Sequence, residues 1–320
     1  MSYYIHPYTL YSRGALNAVS QRREFHGVLI MVDGGVGCLH PWPEFGDPPI
    51  KDQLDLLRDG GTSKVIERAL RMAAVDGAAR RAGVSLFAGL EIPPCHYSWD
   101  QNQPSEPQMR RVVAEGWGAI KTKGWNNVGE VLRWLDSFAA KAGDAGVKLR
   151  ADFNSCLEPH QFRNFMEWMS PRVRARLDFV EDPFPYDPES WEDMQRRYAV
   201  DLALDKALRG ADEGFNVAVL KPGRREWREM LDGVPERVRV VMTSAMDHAI
   251  GQSFAAYEAA LAWQEIGGRM DLCGLATDHL FARDSFFERL SAVGGVLAVD
   301  RAGTGLGFNE VLDKLAWLKL

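Results

Sequence analysis

The feature of this sequence that most constrains its fold is an alternation of short β-rich runs and helical segments from about residue 85 onward. The clearest helical segment is 127–145, whose apolar residues share one helical face. Others occupy 160–169, 189–198 and 253–267. Strands that alternate with helices indicate parallel βαβ units. The runs predicted as strands are 85–90, 118–123, 148–154, 177–182, 201–205, 216–221, 239–244 and 271–276.

The predicted fold is a (β/α)7β TIM-like barrel with an N-terminal α+β capping domain. Strands at roughly 30 residues per unit match the length of such a barrel. A doubly wound open sheet is the alternative, but no glycine-rich phosphate-binding motif follows the first strand. The N-terminal part differs, because 27–40 suggests two strands joined by a turn and 64–83 a helix ended by glycine. We predict a cap at 1–90, a barrel at 91–300 and a tail at 301–320 that returns to the cap.

Charge and composition exclude several classes of function. The net charge of -6 gives no reason to expect nucleic acid or an anionic membrane as a partner. No apolar stretch approaches membrane-spanning length, and the N-terminus lacks the apolar region of a signal peptide. The four cysteines, none at zinc-ligand spacing, are expected to be reduced thiols of a cytoplasmic protein. The sequence leaves the oligomeric state open.

Ionisable residues end five successive predicted strands, and this is the strongest indication of function in the sequence. Barrel active sites gather at the C-terminal ends of the strands. One such residue alone would usually cap a helix or be solvated, but a whole set at one end of a barrel predicts a site. In strand order the residues are Lys121 and Lys123, Asp152, Glu181, Asp205, and Lys221.

Three of these residues form a predicted metal site. Asp152, Glu181 and Asp205 come from adjacent strands, so their carboxylates should converge in a closed barrel. Carboxylates crowded in this way repel each other strongly unless a cation lies between them. Such hard oxygen ligands suit Mg²⁺ or Mn²⁺, with waters and substrate completing the coordination.

The lysines predict proton transfer beside that metal. Lys121 and Lys123 lie two positions apart on a strand and should point to the same side. Two adjacent ammonium groups disfavour each other's protonation, so one can act as a base near pH 7. Lys221 should approach from the opposite side. The predicted reaction is removal of a proton next to the carboxylate of a small-molecule substrate, with the metal stabilising the resulting enediolate.

The order Lys-x-Lys, Asp-x-Asn, Glu-Asp-Pro, Asp and Lys-Pro resembles the muconate-lactonizing branch of the enolase superfamily. Within that branch it is most similar to the o-succinylbenzoate synthase family. The resemblance extends over most of the chain. Residues 37–47 are similar to the glycine-and-proline loop of the family's capping domain, and 240–251 to its serine-rich seventh-strand segment. Residues 274–277 are similar to its eighth-strand stretch, and 305–307 to its closing segment.

The resemblance implies a carbon–oxygen lyase of menaquinone biosynthesis. This enzyme would dehydrate 2-succinyl-6-hydroxy-2,4-cyclohexadiene-1-carboxylate to o-succinylbenzoate. The resemblance also implies Asp152, Glu181 and Asp205 as metal ligands. Lys123 would be the catalytic base, with Lys121 lowering its pKa, and the same base would return its proton to the leaving hydroxyl.

The opposite lysine separates this reaction from its alternatives. In the synthases Lys221 would stabilise the enediolate by cation–π contact, and in racemases it would be a second base. An N-acylamino acid racemase, a dipeptide epimerase or a cycloisomerase is therefore an alternative, although the segment after the seventh strand lacks the Asp-x-Asp motif of a dipeptide epimerase. A metal-binding barrel without catalysis is a lesser alternative. It predicts that at least one catalytic position is lost, whereas all five strand-end positions are intact in this sequence. Loops within 8–50 are expected to set specificity.

Three positions depart from the family pattern. Lys206 follows Asp205 where an acidic residue is common, and it should point away from Asp205 because neighbours on a strand alternate. Asp247 and His248 replace the usual Glu-Ser. His40 stands where small or acidic residues are commoner, and both histidines are either substrate contacts or structural. The candidate contacts to substrate or to the metal ligands are Asn154, Ser244, Asp247 and His40.

Overall fold

The computed structural model describes residues 2–17, 20–99, 105–143, 145–208 and 213–320. Within these ranges an antiparallel sheet precedes a ring of parallel strands, and helices cover the outside of the ring. No helix in the described ranges is both long enough and apolar enough to cross a membrane. All four cysteines lie in these ranges and are free thiols.

Four antiparallel strands form the N-terminal sheet: β1 (Tyr4–Tyr11), β2 (Glu24–Val32), β3 (Gly35–Leu39) and the C-terminal β13 (Leu318–Lys319). Strands β2 and β3 form the hairpin that the sequence predicts. Its two turn residues, Asp33 and Gly34, have positive φ angles, as a type I′ hairpin turn requires. Tyr4 of β1 lies opposite Lys319 of β13, so the end of the chain is paired with the first strand of this sheet.

Helix α2 (Lys64–Arg81) packs closely against β3. Gly35 and Gly37 face the helix, and a Cβ atom at either position would lie 2.0 Å from a helix carbonyl oxygen, that of Ala73 or Ala69 respectively. Any side chain there would push the helix away from the sheet. The two glycines therefore set the distance between the layers of the cap.

Seven parallel strands follow in chain order: β4 (Tyr97–Trp99), β5 (Ala119–Lys123), β6 (Lys148–Asp152), β7 (Leu177–Glu181), β8 (Leu202–Leu204), β9 (Val217–Leu220) and β10 (Arg239–Met242). Residues 270–274 close the ring. Gly274 makes a parallel bridge to Thr243 after β10, and Cys273 makes one to Cys95 before β4. The predicted barrel is confirmed, with short bridges in place of a regular eighth strand.

The first barrel strand does not lie where the sequence predicts it. Residues 85–90 form turns, with one bridge from Ser85 to Gly305, and β4 provides the first strand instead. The prediction at 85–90 is wrong because an apolar run this short does not distinguish a strand from a buried turn. Phe87, which is fully buried, contributes the apolar pattern without being in a strand.

The helical segments predicted at 127–145, 160–169, 189–198 and 253–267 correspond to helices outside the ring of parallel strands, and the first of these helices ends at Ala142. A hairpin of β11 (Ser291–Val293) and β12 (Val296–Ala298) follows the barrel. Besides α2, the α-helices of the described residues, including those four, are α1 (Ile50–Arg58), α3 (Glu106–Ala114), α4 (Val128–Ala142), α5 (Pro159–Glu167), α6 (Pro171–Arg174), α7 (Pro188–Tyr198), α8 (Trp227–Leu231), α9 (Ala249–Ile266) and α10 (Asn309–Leu312).

The N-terminal domain packs on the loops that follow β9 and β10, at the C-terminal ends of the barrel strands. Trp42 donates its indole N–H to the carbonyl oxygen of Ala245 at 3.0 Å. Arg68 of α2 donates its Nε–H to the carbonyl oxygen of Pro222 at 2.8 Å. The predicted capping arrangement is confirmed, while the boundaries drawn between the domains stay predictions.

Candidate active site

Strand register brings the three predicted carboxylates to one end of the barrel. Asp152, the last residue of β6, is the register partner of Glu181, the last residue of β7. Glu181 in turn pairs with Ala203 of β8, so Asp205 lies two residues further along at the same end. Asp152 and Glu181 are each 1% exposed. Three acidic side chains therefore stand side by side on consecutive strands.

The two lysines of β5 reach the same carboxylates. Lys123 is the register partner of Asp152, and its ammonium hydrogen-bonds Oδ2 of that residue. Lys121 Nζ lies 2.5 Å from Glu181 Oε2 and 3.0 Å from Asp152 Oδ2. Both lysines are buried. We call Lys121 and Lys123 the β5 flank of the site.

The other side of the mouth carries a more open pair. Lys221 directly follows β9, and its ammonium hydrogen-bonds Asp205 Oδ2. The side chain of Lys221 is 30% exposed, whereas that of Asp205 is 7% exposed. We call Asp205 and Lys221 the β9 flank.

All six residues line one cavity of about 640 Å³ between the barrel and the cap. The cap contributes Trp42, Phe45 and Asp47 to its wall. Asp47 is held by Arg224 of the barrel, whose Nη2 lies 2.7 Å from Asp47 Oδ1. These four residues were not among the sequence candidates. The cap's contribution was indicated only in general terms, by the glycine-and-proline loop at 37–47 and by the expectation that loops within 8–50 set specificity.

Burial and charge separate the two lysines of the β5 flank. Burial alone would lower the pKa of both, but at Lys121 the charges of Asp152 and Glu181 outweigh it and raise the pKa. At Lys123 burial, helped by the positive charge of Lys121, outweighs the attraction of Asp152 and lowers the pKa. Of the two, Lys123 therefore loses its proton more readily.

The carboxylate set fits a hard divalent cation in its chemistry. Burial raises the pKa of Glu181 to about 8, and the negative charges of Asp152 and Asp205 act in the same direction. A cation among the three would relieve that repulsion. The same carboxylates hydrogen-bond Lys121, Lys123 and Lys221. Among the described residues, no group of three His, Cys, Asp or Glu side chains is arranged so that it could hold a metal ion.

Asp182 fixes the loop that carries Asp205. It is buried, and its two carboxylate oxygens accept the backbone N–H groups of Asp205 and Lys206 at 3.2 Å each. Burial raises the pKa of Asp182 to about 7, and the charge of Asp205 adds to the shift. Asp182 thus orients the first residues after β8.

Lys206 points into the cavity, so the prediction that it turns away from Asp205 is wrong. Strand β8 ends at Leu204, and beyond that residue the alternation of strand side chains no longer applies. Lys206 Nζ donates to the carbonyl oxygen of Asn154 at 2.8 Å. It also lies 5.0 Å from the ring centroid of Phe45 in the cap, within the range of a cation–π contact.

The remaining sequence candidates divide into two groups. Asn154 and Ser244 line the cavity, whereas His40 and Asp247 are buried and are not among the described residues that line it. His40 Nδ1 is 2.9 Å from the hydroxyl of Tyr8. His40 Nε2 and Asp247 Oδ1 are buried without a hydrogen-bond partner among the described residues. His40 and Asp247 thus belong to the packing around the site rather than to its surface.

Two family models match the chain. One, described as O-succinylbenzoate synthase, N-terminal domain, matches residues 3–79. The other, described as Enolase C-terminal domain-like, matches residues 106–221. The first match covers most of the cap. The second match contains all six ionisable residues of the site, but it does not include β4 or β10.

Relatives and solved structures agree with these matches. An o-succinylbenzoate synthase from Bdellovibrio bacteriovorus is 31% identical over 98% of this chain and 97% of that protein. One from Salmonella paratyphi B is 32% identical over 42% of this chain and 43% of that protein. The dipeptide epimerase from Enterococcus faecalis, solved with Mg and the dipeptide L-Leu-L-Tyr, has a TM-score of 0.76 at 13% identity, covering 96% of this chain and 98% of that one. The muconate lactonizing enzyme from Pseudomonas fluorescens, complexed with muconolactone, has a TM-score of 0.71 at 14% identity, covering 98% of each chain.

Proposed function

The chain belongs to the o-succinylbenzoate synthase family of the enolase superfamily, and we propose that it is a carbon–oxygen lyase. The proposed reaction dehydrates 2-succinyl-6-hydroxy-2,4-cyclohexadiene-1-carboxylate to o-succinylbenzoate, as a step of menaquinone biosynthesis in the cytoplasm. One observation carries the proposal: three carboxylates and three lysines surround a single cavity beneath the cap. That set matches removal of a proton next to a carboxylate.

The proposed metal ligands are Asp152, Glu181 and Asp205, which offer the oxygen donors that Mg²⁺ and Mn²⁺ prefer. When bound, the metal would polarise the substrate carboxylate and stabilise the negative charge that develops on it. Burial, together with the negative charges of Asp152 and Asp205, raises the pKa of Glu181, and this supports the assignment. Asp182 contributes by holding the loop of Asp205 in position.

Lys123 is the proposed base. In the first step the C–H bond next to the carboxylate breaks, the proton moves to Lys123 Nζ, and the electron pair stays on the substrate as an enediolate. The lowered pKa of Lys123 supports this role, since a base must be unprotonated when substrate binds. Lys121, whose positive charge contributes to that lowering, remains the cation beside it.

The second step expels the hydroxyl. The enediolate electrons form the new ring double bond, the C–O bond breaks, and Lys123 returns its proton to the departing oxygen as water. Lys221, on the β9 flank, stabilises the negative charge of the enediolate throughout. Trp42 and Phe45 of the cap cover the cavity and limit the access of water to the intermediate.

A racemase or epimerase of the same superfamily is the second candidate. The observation that favours it is a lysine on each flank of one cavity, which is what proton removal from either face of a substrate requires. The structural likeness to dipeptide epimerases, at 13–15% identity, concerns the fold alone.

One assay separates the two candidates. Purified protein with Mg²⁺ is given the cyclohexadiene carboxylate in one reaction and N-succinyl amino acids of each hand in another. We expect rapid formation of o-succinylbenzoate with slow or absent racemisation. Efficient racemisation without dehydration would replace the proposed function by its alternative.

A further inference from the structure

A buried arginine lies inside the barrel beneath the lysines. Arg150 of β6 is fully buried, and it is the register partner of Lys121. Its Nε donates to Asp178 Oδ2 at 2.7 Å, and its Nη2 lies 3.0 Å from Asp271 Oδ1. Guanidinium groups carry only donors and keep their charge in proteins. Arg150 is therefore a fixed source of hydrogen bonds at the floor of the site.

One of those hydrogen bonds determines the tautomer of His96. Arg150 Nη1 lies 2.8 Å from His96 Nδ1. Because arginine can only donate, Nδ1 must accept and carries no proton. Burial and the positive charges of Arg150 and Lys121 hold the pKa of His96 well below its usual range, so the ring is neutral. The remaining ring proton must then be on Nε2.

His96 borders a second, much smaller cavity beside the β5 flank. This side cavity has a volume of about 20 Å³, and its wall combines apolar side chains, among them Leu16, Trp99 and Met246, with the polar residues His96, Ser98, Thr243, Lys121 and Lys123. A site of at least about 10–15 Å³ can hold one water molecule when polar partners surround it. The side cavity adjoins the main cavity, because both lysines and Thr243 line the two of them.

We propose that the side cavity receives the hydroxyl that leaves during dehydration, and that His96 holds its oxygen through the Nε2–H group. The inference rests on the proposed function and adds to it a site for the leaving group. When the C–O bond breaks, the electron pair goes to the oxygen and Lys123 supplies the proton, so the product that occupies the side cavity is water. His96 donates a hydrogen bond to that oxygen and transfers no proton.

The chemistry of the site explains why a neutral, fixed donor belongs there. A hydroxyl group departs more easily when a donor stabilises the charge that grows on its oxygen. Lys123 can protonate the same oxygen only if it is held close to the ammonium group, and the side cavity is bounded by that lysine. Arg150 keeps the imidazole from turning, so the donor is oriented before the reaction begins.

The test uses the fate of the enediolate in D₂O with full-length enzyme, Mg²⁺ and the cyclohexadiene carboxylate. The enediolate either loses its hydroxyl or takes back a deuteron, which appears in recovered substrate. In His96→Leu we expect the ratio of dehydration to deuterium return to fall about 10-fold, since one hydrogen bond to the leaving oxygen is lost. His96→Gln, whose amide can accept from Arg150 and donate to the cavity, should recover part of that loss.

Two further variants separate this role from a structural one. Ser170→Ala removes the side-chain cap of α6, where the Ser170 hydroxyl accepts the backbone N–H of Val173, and Ser170 does not line the side cavity among the described residues. It should lower the melting temperature without changing the ratio. Ser98→Ala removes a hydroxyl from the side cavity and leaves the bond between Arg150 and His96 intact. It should shift the ratio in the same direction as His96→Leu, by about 3-fold, and it keeps the test decisive if His96→Leu does not fold.

An unchanged ratio in folded His96→Leu or, failing that, in Ser98→Ala overturns the inference while the proposed function stands. An equal shift in Ser170→Ala also overturns it, because the effect would then come from general destabilisation of the protein. A wild-type protein that exchanges the substrate proton but forms no o-succinylbenzoate would overturn the proposed function, and this inference with it.

Discussion

The two flanks of the barrel mouth use the same residue type in different surroundings. On the β5 flank the side chains of Lys121 and Lys123 are 10% and 11% exposed and share the buried carboxylate of Asp152. On the β9 flank the side chain of Lys221 is 30% exposed and binds Asp205. Burial disfavours an ammonium ion, whereas contact with water stabilises it. The sheltered flank is therefore suited to moving protons, and the open flank to supplying a positive charge.

This difference bears on the choice between dehydration and racemisation. A dehydration in which one base serves both steps needs only one lysine that changes its protonation state. A racemase needs one on each side. The asymmetry between Lys123 and Lys221 favours the first reaction, although both lysines line the same cavity. Variants that alter one flank at a time test whether the two flanks have different roles.

The largest effect should come from Lys123→Ala. It removes both the base and the acid that returns the proton, and a group of this kind typically contributes about 10²–10⁴-fold to the rate. We expect kcat to fall about 10³-fold, with proton exchange in D₂O lost as well. Turnover and exchange are measured on the same samples.

Lys148→Ala is the matched control for that variant. Lys148 begins β6 at the end of the barrel opposite Asp152, and its side chain is 52% exposed. Its loss should leave kcat within about 2-fold of wild type, because exposed ion pairs contribute little. If Lys123→Ala retained a tenth of the activity or more, the β5 flank would not hold the base.

Metal removal should produce the next largest effect, and it acts on both flanks because Asp152, Glu181 and Asp205 span them. EDTA should lower turnover by about 10²-fold or more, and added Mg²⁺ or Mn²⁺ should restore it. Glu181→Gln should weaken Mn²⁺ binding, followed by calorimetric titration, by at least about 10-fold. Full activity in excess EDTA would contradict the metal assignment.

Glu229→Gln is a suitable control for metal binding. Glu229 lies in the outer groove beside α2 and does not line the main cavity among the described residues. Its substitution changes the net charge by the same amount as Glu181→Gln. We expect the Mn²⁺ affinity of this variant to equal that of the wild type. An equal loss of Mn²⁺ affinity in Glu181→Gln and Glu229→Gln would mean that binding responds only to the overall charge, and it would contradict Glu181 as a metal ligand.

A smaller effect is expected from Lys221→Arg. Arginine keeps a permanent cation but cannot serve as a base near neutral pH. A dehydratase should lose activity through altered geometry alone, about 10-fold, whereas racemisation should stop in both directions. Dehydration and exchange from each enantiomer of an N-succinyl amino acid are followed in D₂O. Complete loss of dehydration, with the protein still folded, would mean that Lys221 takes part in proton transfer.

The ends of five strands could be predicted from sequence because each ionisable residue directly follows a run of β-rich residues. Asp152 and Glu181 show this most clearly, because each is the last residue of its strand. The same reasoning failed where the local pattern was ambiguous. The apolar run at 85–90 is a buried turn, and the first strand, β4, has only three residues. A strand so short leaves too little periodicity to detect.

Contacts between distant parts of the chain could not be predicted from these patterns. Arg150 meets His96 across 54 positions and the carbonyl oxygen of Leu272 across 122. No local spacing relates these residues, and they come together only when residues 270–274 close the ring. The sequence pattern does not distinguish Arg150 from the other residues of its strand, yet Arg150 is fully buried in the floor of the site. Closure of the barrel, rather than any motif, creates that environment.

The smallest effect is expected at Lys206, the position where the sequence departs from the family pattern. Lys206 joins the barrel to the cap through its bond to the Asn154 carbonyl oxygen and its contact with the Phe45 ring. Lys206→Met keeps most of the side-chain volume and removes the charge. We expect a loss of about 0.5–1 kcal/mol in the free energy of unfolding, the usual contribution of a partly exposed cation–π contact. Phe45→Leu should lower the free energy of unfolding by a similar amount. Because the two side chains are in contact, the double variant should lose less than the sum of the two single losses.

KM for the substrate should rise about 2- to 3-fold in both single variants while kcat changes little, because the cap covers the cavity but carries none of the proposed proton chemistry. A large fall in kcat for Lys206→Met would instead place this lysine among the groups that act on the substrate. Two cations, Lys206 and Lys221, would then act there, whereas the comparison of the flanks assumes that Lys221 alone does so.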